Sequence, residues 1–192
     1  MKQIVDFILK LDRLKGITRK TKPIGLERYE NSAEHSWQIA LLAASMAEYA
    51  HAPVNIERVV PMLLVHDIGE IETGDTNFYT EAGLAERKTA EKAAVTRIFS
   101  LLGEPQSSAF LSLWQEFEDN ETPEARFAHA ADRAMPVILN LANNGQSWRE
   151  NGITHERVVS RVGPPIKAGC PALWDYLEAR LEEERQKGWF AR

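Results

Sequence analysis

Three stretches of the chain place metal-competent side chains where apolar ones are expected. The apolar run Val59-Val60-Pro61-Met62-Leu63-Leu64-Val65 ends in His66-Asp67, and a second carboxylate, Glu70, follows one turn later. The residues flanking this run favour helix over strand. Burying an imidazole and carboxylates is costly unless something pairs with them, and a bound cation is the most economical partner. His35 is in register with Ile39, Leu42 and Met46, so it begins an apolar helical stripe. Asp132 shares a face with Ala128, Met135 and Leu139, again inside an apolar stripe. Imidazole combined with carboxylate suits a divalent ion such as manganese, cobalt, iron or zinc. His35, His66, Asp67 and Asp132 would leave positions for water and substrate on one octahedral ion. Adjacent helix positions point about 100° apart, yet His66 and Asp67 can both reach one ion near the helix end, where the segment is able to turn toward it. Taken singly, each residue also reads as an ordinary core or capping group; taken jointly, they point to one ion.

The elements that must position these groups are all helical. Ile4, Phe7, Ile8, Leu11 and Leu14 mark a first amphipathic helix, stopped by Gly16. Ile17 to Glu30 is a basic loop containing Arg19, Lys20, Lys22 and Arg28. Asn31 and Glu34 have capping-box spacing, with Ser32 as an alternative cap, for a helix to about Ala50. Asn55 caps the next helix, expected to reach Gly69 or Ile71 across Pro61. Glu72-Thr73-Gly74-Asp75 is a loop, and a charged helix runs from Glu81 to Leu102 with Ala90, Ala94, Val95 and Ile98 inward. A shorter helix covers Ser107 or Ser108 to Phe117, and Thr122-Pro123-Glu124 starts a helix to Asn143. Gly145 to Gly152 reads as a loop with Trp148 and Arg149, and Thr154 to Val162 as a short helix. Gly163-Pro164-Pro165 reads as a break, and Pro171 to Lys187 as a closing helix. No strand or repeat stands out. The expected fold is an all-α, single-domain bundle, its core at about residues 1–143 and a helical extension at about 144–192.

The 192 residues suffice to bury a core unaided, and 44% hydrophobic with 27% charged is an ordinary globular composition. Net charge is -5 and the pI about 5.6, which offers no global basic field for nucleic acid or an anionic membrane. A single cysteine, Cys170, excludes an internal disulfide and a Cys-rich zinc site. Charged residues interrupt the apolar positions of Met1–Leu14, unlike a secretory signal, and no apolar stretch is long enough to span a membrane. The expected location is cytoplasmic.

The order His…His-Asp…Asp resembles the signature of HD-domain metal-dependent phosphohydrolases. Asn31-Ser32-Ala33-Glu34-His35-Ser36, His66-Asp67-Ile68-Gly69-Glu70 and Thr73-Gly74-Asp75 are similar to the branch of bacterial 5′-deoxynucleotidases and their eukaryotic relatives. Lys88, Glu91 and Ala131-Asp132 also fall where that branch has similar residues, so the likeness covers about residues 1–140. It implies that His35, His66, Asp67 and Asp132 hold the metal. It implies that Glu70 works beside the activated water, that Asp75 contacts the nucleotide sugar, and that Arg19 and Lys88 bind substrate. Lys20 stands where the bacterial enzymes pair that arginine with a tryptophan, and the stretch before His35 is slightly longer. Members of the branch commonly dimerise; Trp174, Leu177, Leu181, Trp189 and Phe190 offer either a partner surface for a homodimer or the completion of the core.

Phosphate-ester hydrolysis needs a nucleophile at neutral pH and neutralisation of phosphoryl charge. One divalent ion supplies both, through the lowered pKa of a bound water and contact with a phosphate oxygen. Arg19, Lys22, Lys88 and Arg133 are available to offset phosphate charge. The leading expectation is a 5′-nucleotidase acting on (deoxy)nucleoside 5′-monophosphates. Alternatives are another nucleotide substrate (a cyclic nucleotide, a nucleoside triphosphate or guanosine tetraphosphate) and a non-catalytic helical interaction protein with a structural metal. Ile71 after Glu70 counts against guanosine tetraphosphate, whose hydrolases usually carry an acidic pair there. Glu70 and Asp75, which structural ligation would not require, count against a non-catalytic role.

Overall fold

The structure, a computed structural model, describes residues 1–75 and 84–190. Among these residues there are ten α-helices and two short 3-10 segments, and the only β-type pairing is one bridge between Thr18 and Asn31. The molecule is a single all-helical domain.

One helix organises the rest. Pro123–Ala142 is the seventh in chain order, α7, with Thr122 Oγ1 accepting from Ala125 N at its start and Pro at its first position. It is buried on nearly every side, as expected of a helix enclosed by others. Phe127, Ala128, Ala131, Met135 and Leu139 form one cluster with Ile39 and Ala43 of α2 (Ser32–Ser45) and Val59, Met62 and Leu63 of α3 (Ile56–Val65). Ala134 and Val137 join a second cluster with Val158, Val162 and Ile166 of α9 (His155–Gly169) and Trp174, Leu177 and Leu181 of α10 (Pro171–Gln186). Trp174, Leu177, Leu181 and Phe190 are therefore buried within this chain's own core, and Trp189 is half-buried.

Several elements differ from the sequence expectation. α1 (Lys2–Leu11) buries Phe7 and turns Leu11 inward, but Ile4 and Ile8 are exposed. It lies on the surface against α5 (Leu84–Phe99) and the following 3-10 turn, so only one edge is covered. The expected start of α5 at Glu81 lies outside the described residues; Ala94, Val95 and Ile98 are buried as expected, whereas Ala90 is exposed. α6 spans Gln106–Asp119. The expected loop at 145–152 contains a helix, α8 (Gln146–Glu150), because Trp148 is buried in a stack on Phe190 with ring centroids 4.6 Å apart.

α9 runs straight through Gly163-Pro164-Pro165. Prolines inside a helix cost about 3 kcal/mol or more, and packing against α7 and α10 offsets that here. Ser160 and Pro164 are exposed, where water serves the carbonyl that loses its helical donor. Gly163 allows Trp174 to sit where a Cβ would meet it at 2.9 Å, and at Gly169 a Cβ would lie 2.1 Å from the Arg126 carbonyl oxygen. These two glycines set how closely α9 approaches its neighbours.

Candidate active site

Asn31 starts α2 with a complete capping box: its side chain accepts from Glu34 N, and Glu34 reaches back to Asn31 N. That start points His35 into the core, where it is wholly buried. α3 ends at Val65, earlier than expected, and the chain tightens into consecutive three-residue turns (Ile68 N to Val65 O, 3.2 Å; Glu70 N to Asp67 O, 3.0 Å). This tightening brings His66 and Asp67 to the same corner. A short helix, α4 (Glu70–Thr73), then carries Glu70 back toward α2, and Ser32 Oγ donates to Glu70 Oε2 at 2.6 Å.

His35, His66 and Asp132 converge. His35 Nε2 is 3.0 Å from Asp132 Oδ1, and His66 Nε2 is 3.9 Å from the same oxygen. One ligand-capable atom from each of the three lies within 4.8 Å of the others. Asp67 sits beside this group, with Oδ1 2.9 Å from His66 Nε2 and Oδ2 accepting from Arg19 Nη1 at 2.9 Å. His66 Nε2 is buried yet has no hydrogen bond of proper geometry. An orphaned imidazole nitrogen facing buried carboxylates is the arrangement a divalent cation would complete. The donor set fits such an ion.

The surrounding charges are strongly coupled. Burial, then Arg19, pushes the pKa of His35 down to about 4, which keeps it neutral and able to ligate. Burial disfavours the charged form of His66 as well, but Asp67 outweighs it and the pKa is raised. For Asp67, His66 and then Arg19 overcome burial and pull the carboxyl down to about 2. Asp132 is also burdened by burial, but Arg133 and the His35 bond hold it well below the ordinary range. Glu70 goes the other way: burial, with Asp67 and Asp75 beside it, pushes it up to about 10. Burial likewise raises Asp75.

A cavity of about 490 Å³ opens on this corner. Arg19, His66, Asp67, Glu70, Asp75, Lys88, Asp132 and Arg133 are among its lining residues. Lys88 is at the half-exposed rim, its Nζ 3.2 Å from Glu118. Lys20 also lines the cavity and lies over the Tyr29 ring, 5.9 Å from its centroid, whereas Lys22 is tied to Glu150 at 2.9 Å. Asn140, Ser147, Trp148, Asn151, Ile153 and Arg161 also line the cavity. Seven of the eight sequence-predicted residues thus line one cavity, and His35 is not among its lining but meets Asp132 at 3.0 Å. Sequence reasoning missed Ser32 as the partner of Glu70, the buried Glu30 behind His35, and the contribution of residues 147–161. Only Ser32, four residues before Ser36 and beside Asn31, carried a local signal, and that signal read as a cap.

A family model described as HD domain matches residues 11–174. The chain belongs to the HD-domain family. This HD-domain chain is similar over 100% of its length, and 98% of the other's, to a protein of Magnetospirillum magnetotacticum MS-1 described as a predicted metal-dependent phosphohydrolase, at 39% identity and a TM-score of 0.92. It is 26% identical to the 5′-deoxynucleotidase HDDC2 of Danio rerio over 188 residues, which cover 95% of this chain and 90% of the relative. It is 30% identical to the 5′-deoxynucleotidase YfbR of Escherichia coli O1:K1 / APEC over 146 residues, 71% of this chain and 73% of the relative. The HD-domain chain is a metal-dependent phosphohydrolase with a candidate His-His-Asp metal site. No helix among the described residues is long and apolar enough to cross a membrane.

Proposed function

We propose that this HD-domain phosphohydrolase is a 5′-nucleotidase, converting (deoxy)nucleoside 5′-monophosphates to nucleoside and phosphate. The observation that carries the reading is the placement of Glu70 and Asp75 in the same cavity wall as Arg19 and the His-His-Asp group. A structural metal would need none of the three. The names of the 5′-deoxynucleotidase relatives support the substrate class.

In this reading His35, His66, Asp67 and Asp132 hold one divalent ion. When bound, such an ion lowers the pKa of water and offsets phosphoryl charge. Arg19 is partly buried and fixed between two carboxylates, so it contributes a positive charge without reorganising. A cation at the centre would draw the Glu70 carboxyl down from its metal-free value of about 10. Glu70, its Oε2 held by Ser32, then takes the proton of the attacking water as the new P–O bond forms and returns it to the sugar oxygen as the ester bond breaks. Asp75 accepts from a sugar hydroxyl, and Lys88 at the rim attracts the phosphate. Trp148, Asn140 and Asn151, which line the same cavity, receive the base.

The test is release of inorganic phosphate from a panel of ribo- and deoxyribonucleoside 5′-monophosphates with manganese or cobalt added. Turnover of at least one is expected. No turnover of any by metal-loaded protein removes the proposal.

A further inference from the structure

Behind the candidate centre lies a carboxylate that the proposed reaction does not use. Glu30, 2% exposed, ends the basic loop just before the capping box of α2. Its backbone is pinned on both sides: Arg19 N donates to Glu30 O at 3.0 Å, and Glu30 N donates to Thr21 O at 2.9 Å. The side chain is thereby driven inward. Three buried polar atoms without a hydrogen-bond partner meet there, namely Glu30 Oε1, Arg19 Nε and His35 Nδ1. Glu30 Oε1 is 3.4 Å from Arg19 Nε and 3.7 Å from His35 Nδ1. Both distances exceed a normal hydrogen bond by a few tenths of an ångström, and a small shift of the carboxylate or the ring closes either.

The other histidine shows what this geometry is for. His66 Nδ1 lies 2.8 Å from the Leu63 carbonyl oxygen, which accepts its N–H and leaves Nε2 to face Asp132. His35 also turns Nε2 toward Asp132, and the carboxylate behind its Nδ1 is that of Glu30, with Oε1 at 3.7 Å. A ligating imidazole must present a lone pair from one nitrogen, and an acceptor at the other nitrogen fixes that choice and raises ligand basicity.

We infer that Glu30 is a positioning residue for the metal centre: its carboxylate accepts the Nδ1 proton of His35, so that Nε2 faces the ion, and holds the Arg19 guanidinium against Asp67. The inference rests on the metal-centre reading above. It makes Glu30 the acceptor that orients the α2 ligand, as a backbone carbonyl orients the α3 ligand.

The test compares wild type with Glu30→Ala and Glu30→Gln, each stripped of metal and titrated with manganese, and follows the His35 Nδ1 proton by NMR in zinc-loaded protein. Glu30→Ala is expected to weaken manganese binding about 10–100-fold and to remove the downfield, slowly exchanging Nδ1 proton. Glu30→Gln retains an oxygen at the same place and is expected to lose less affinity and keep a faster-exchanging proton. It also keeps the question answerable if the alanine variant folds poorly. The metal-free melting temperature of the glutamine variant, not lowered, separates positioning from scaffolding. Manganese affinity within twofold of wild type in both variants, or an unchanged Nδ1 proton, overturns the inference. A wild-type protein that takes up no manganese overturns the metal-centre reading itself, and that failure is visible without either variant.

Discussion

Asp132→Asn is the sharpest perturbation of the centre, because it changes one oxygen for nitrogen at a site where nothing else need move. Five carboxyl groups, Glu30, Asp67, Glu70, Asp75 and Asp132, gather near two guanidinium groups, of which Arg19 pairs with Glu30 and Asp67 and Arg133 pairs with Asp132. A divalent ion bound by the native state alone stabilises it by about 2.7 kcal/mol at a free concentration one hundred times its Kd. For a chain of 192 residues, at roughly 2–4 °C per kcal/mol, manganese should raise the melting temperature of metal-stripped wild type by about 5–10 °C. Loss of a direct ligand should weaken binding at least as much as loss of an orienting partner, whose upper range is about 100-fold. At the same manganese concentration the variant then stands near its own Kd, and the stabilisation falls to about 0.4 kcal/mol. Its metal-dependent rise should shrink to about 1–2 °C. Scanning calorimetry on metal-stripped protein, with manganese added in steps, reads both numbers. A rise in Asp132→Asn equal to that of wild type would mean that the ion is held elsewhere, and the convergence of His35, His66 and Asp132 would then be only a buried hydrogen-bond cluster.

Glu70→Gln should lower kcat by about 10²–10⁴ while leaving manganese affinity near that of wild type; phosphate release and a metal titration check the two halves, and retention of kcat excludes the proton-transfer role. Burial pushes the Glu30 carboxyl up from its ordinary 4.5 to about 7, so the native state keeps a proton that the unfolded chain has released across that window. The stability this contributes is complete below about pH 4.5 and is lost as pH rises through 7. Metal-stripped wild type should therefore lose on the order of 3 kcal/mol relative to Glu30→Gln between those limits, measured by urea unfolding; a flat difference would show that the carboxyl is not perturbed. Gly169→Ala would set a Cβ 2.1 Å from the Arg126 carbonyl oxygen, and the displacement of α9 from α7 should cost about 1–3 kcal/mol in denaturant unfolding; an unchanged midpoint would mean that the two helices separate freely.

What the sequence made legible was the set of groups that break an apolar pattern. His35 and Asp132 each interrupt a stripe that faces the core, with Ile39, Ala128, Met135 and Leu139 buried and Leu42 and Met46 half-buried. Asn31, Asn55 and Thr122 all cap the helices their types and spacing indicated. The His66-Asp67 pair was visible for the same reason, though the end of α3 at Val65 was not. That end depends on three-residue turns through Gly69, where an added Cβ would lie 3.3–3.4 Å from Val95 and Glu91 of α5. Contacts of that kind have no local signature. α8 exists because Trp148 meets Phe190, far along the chain, and α9 survives two prolines because α7 and α10 cover it. Glu30 was hidden because a loop has no periodicity against which an inward carboxylate stands out.

The same contrast explains why the centre is built on α2, α3 and α7. His35 and Asp132 are 97 positions apart, yet their side chains meet at 3.0 Å inside the core. Helices normally approach to about 8–10 Å between axes, depending on the side chains at the contact. Here the contact is made largely of small residues: Ala40 and Ala43 on α2, and Ala125, Ala128 and Ala131 on α7. Short side chains on either side of His35 and Asp132 let these two reach each other. They also leave little freedom for either to rotate away, because interiors pack with few voids. A site assembled this way incurs the cost of burying charge when the domain folds, not when substrate arrives, so the ligand geometry is set before the reaction begins. The loop carrying Arg19 and Glu30 is closed on itself by Glu30 N to Thr21 O and fastened to the start of α2 by Ser32 N to Ile17 O. The least regular part of the site is in this way held to its most regular part, and the guanidinium and the imidazole that face Glu30 move, if they move, together.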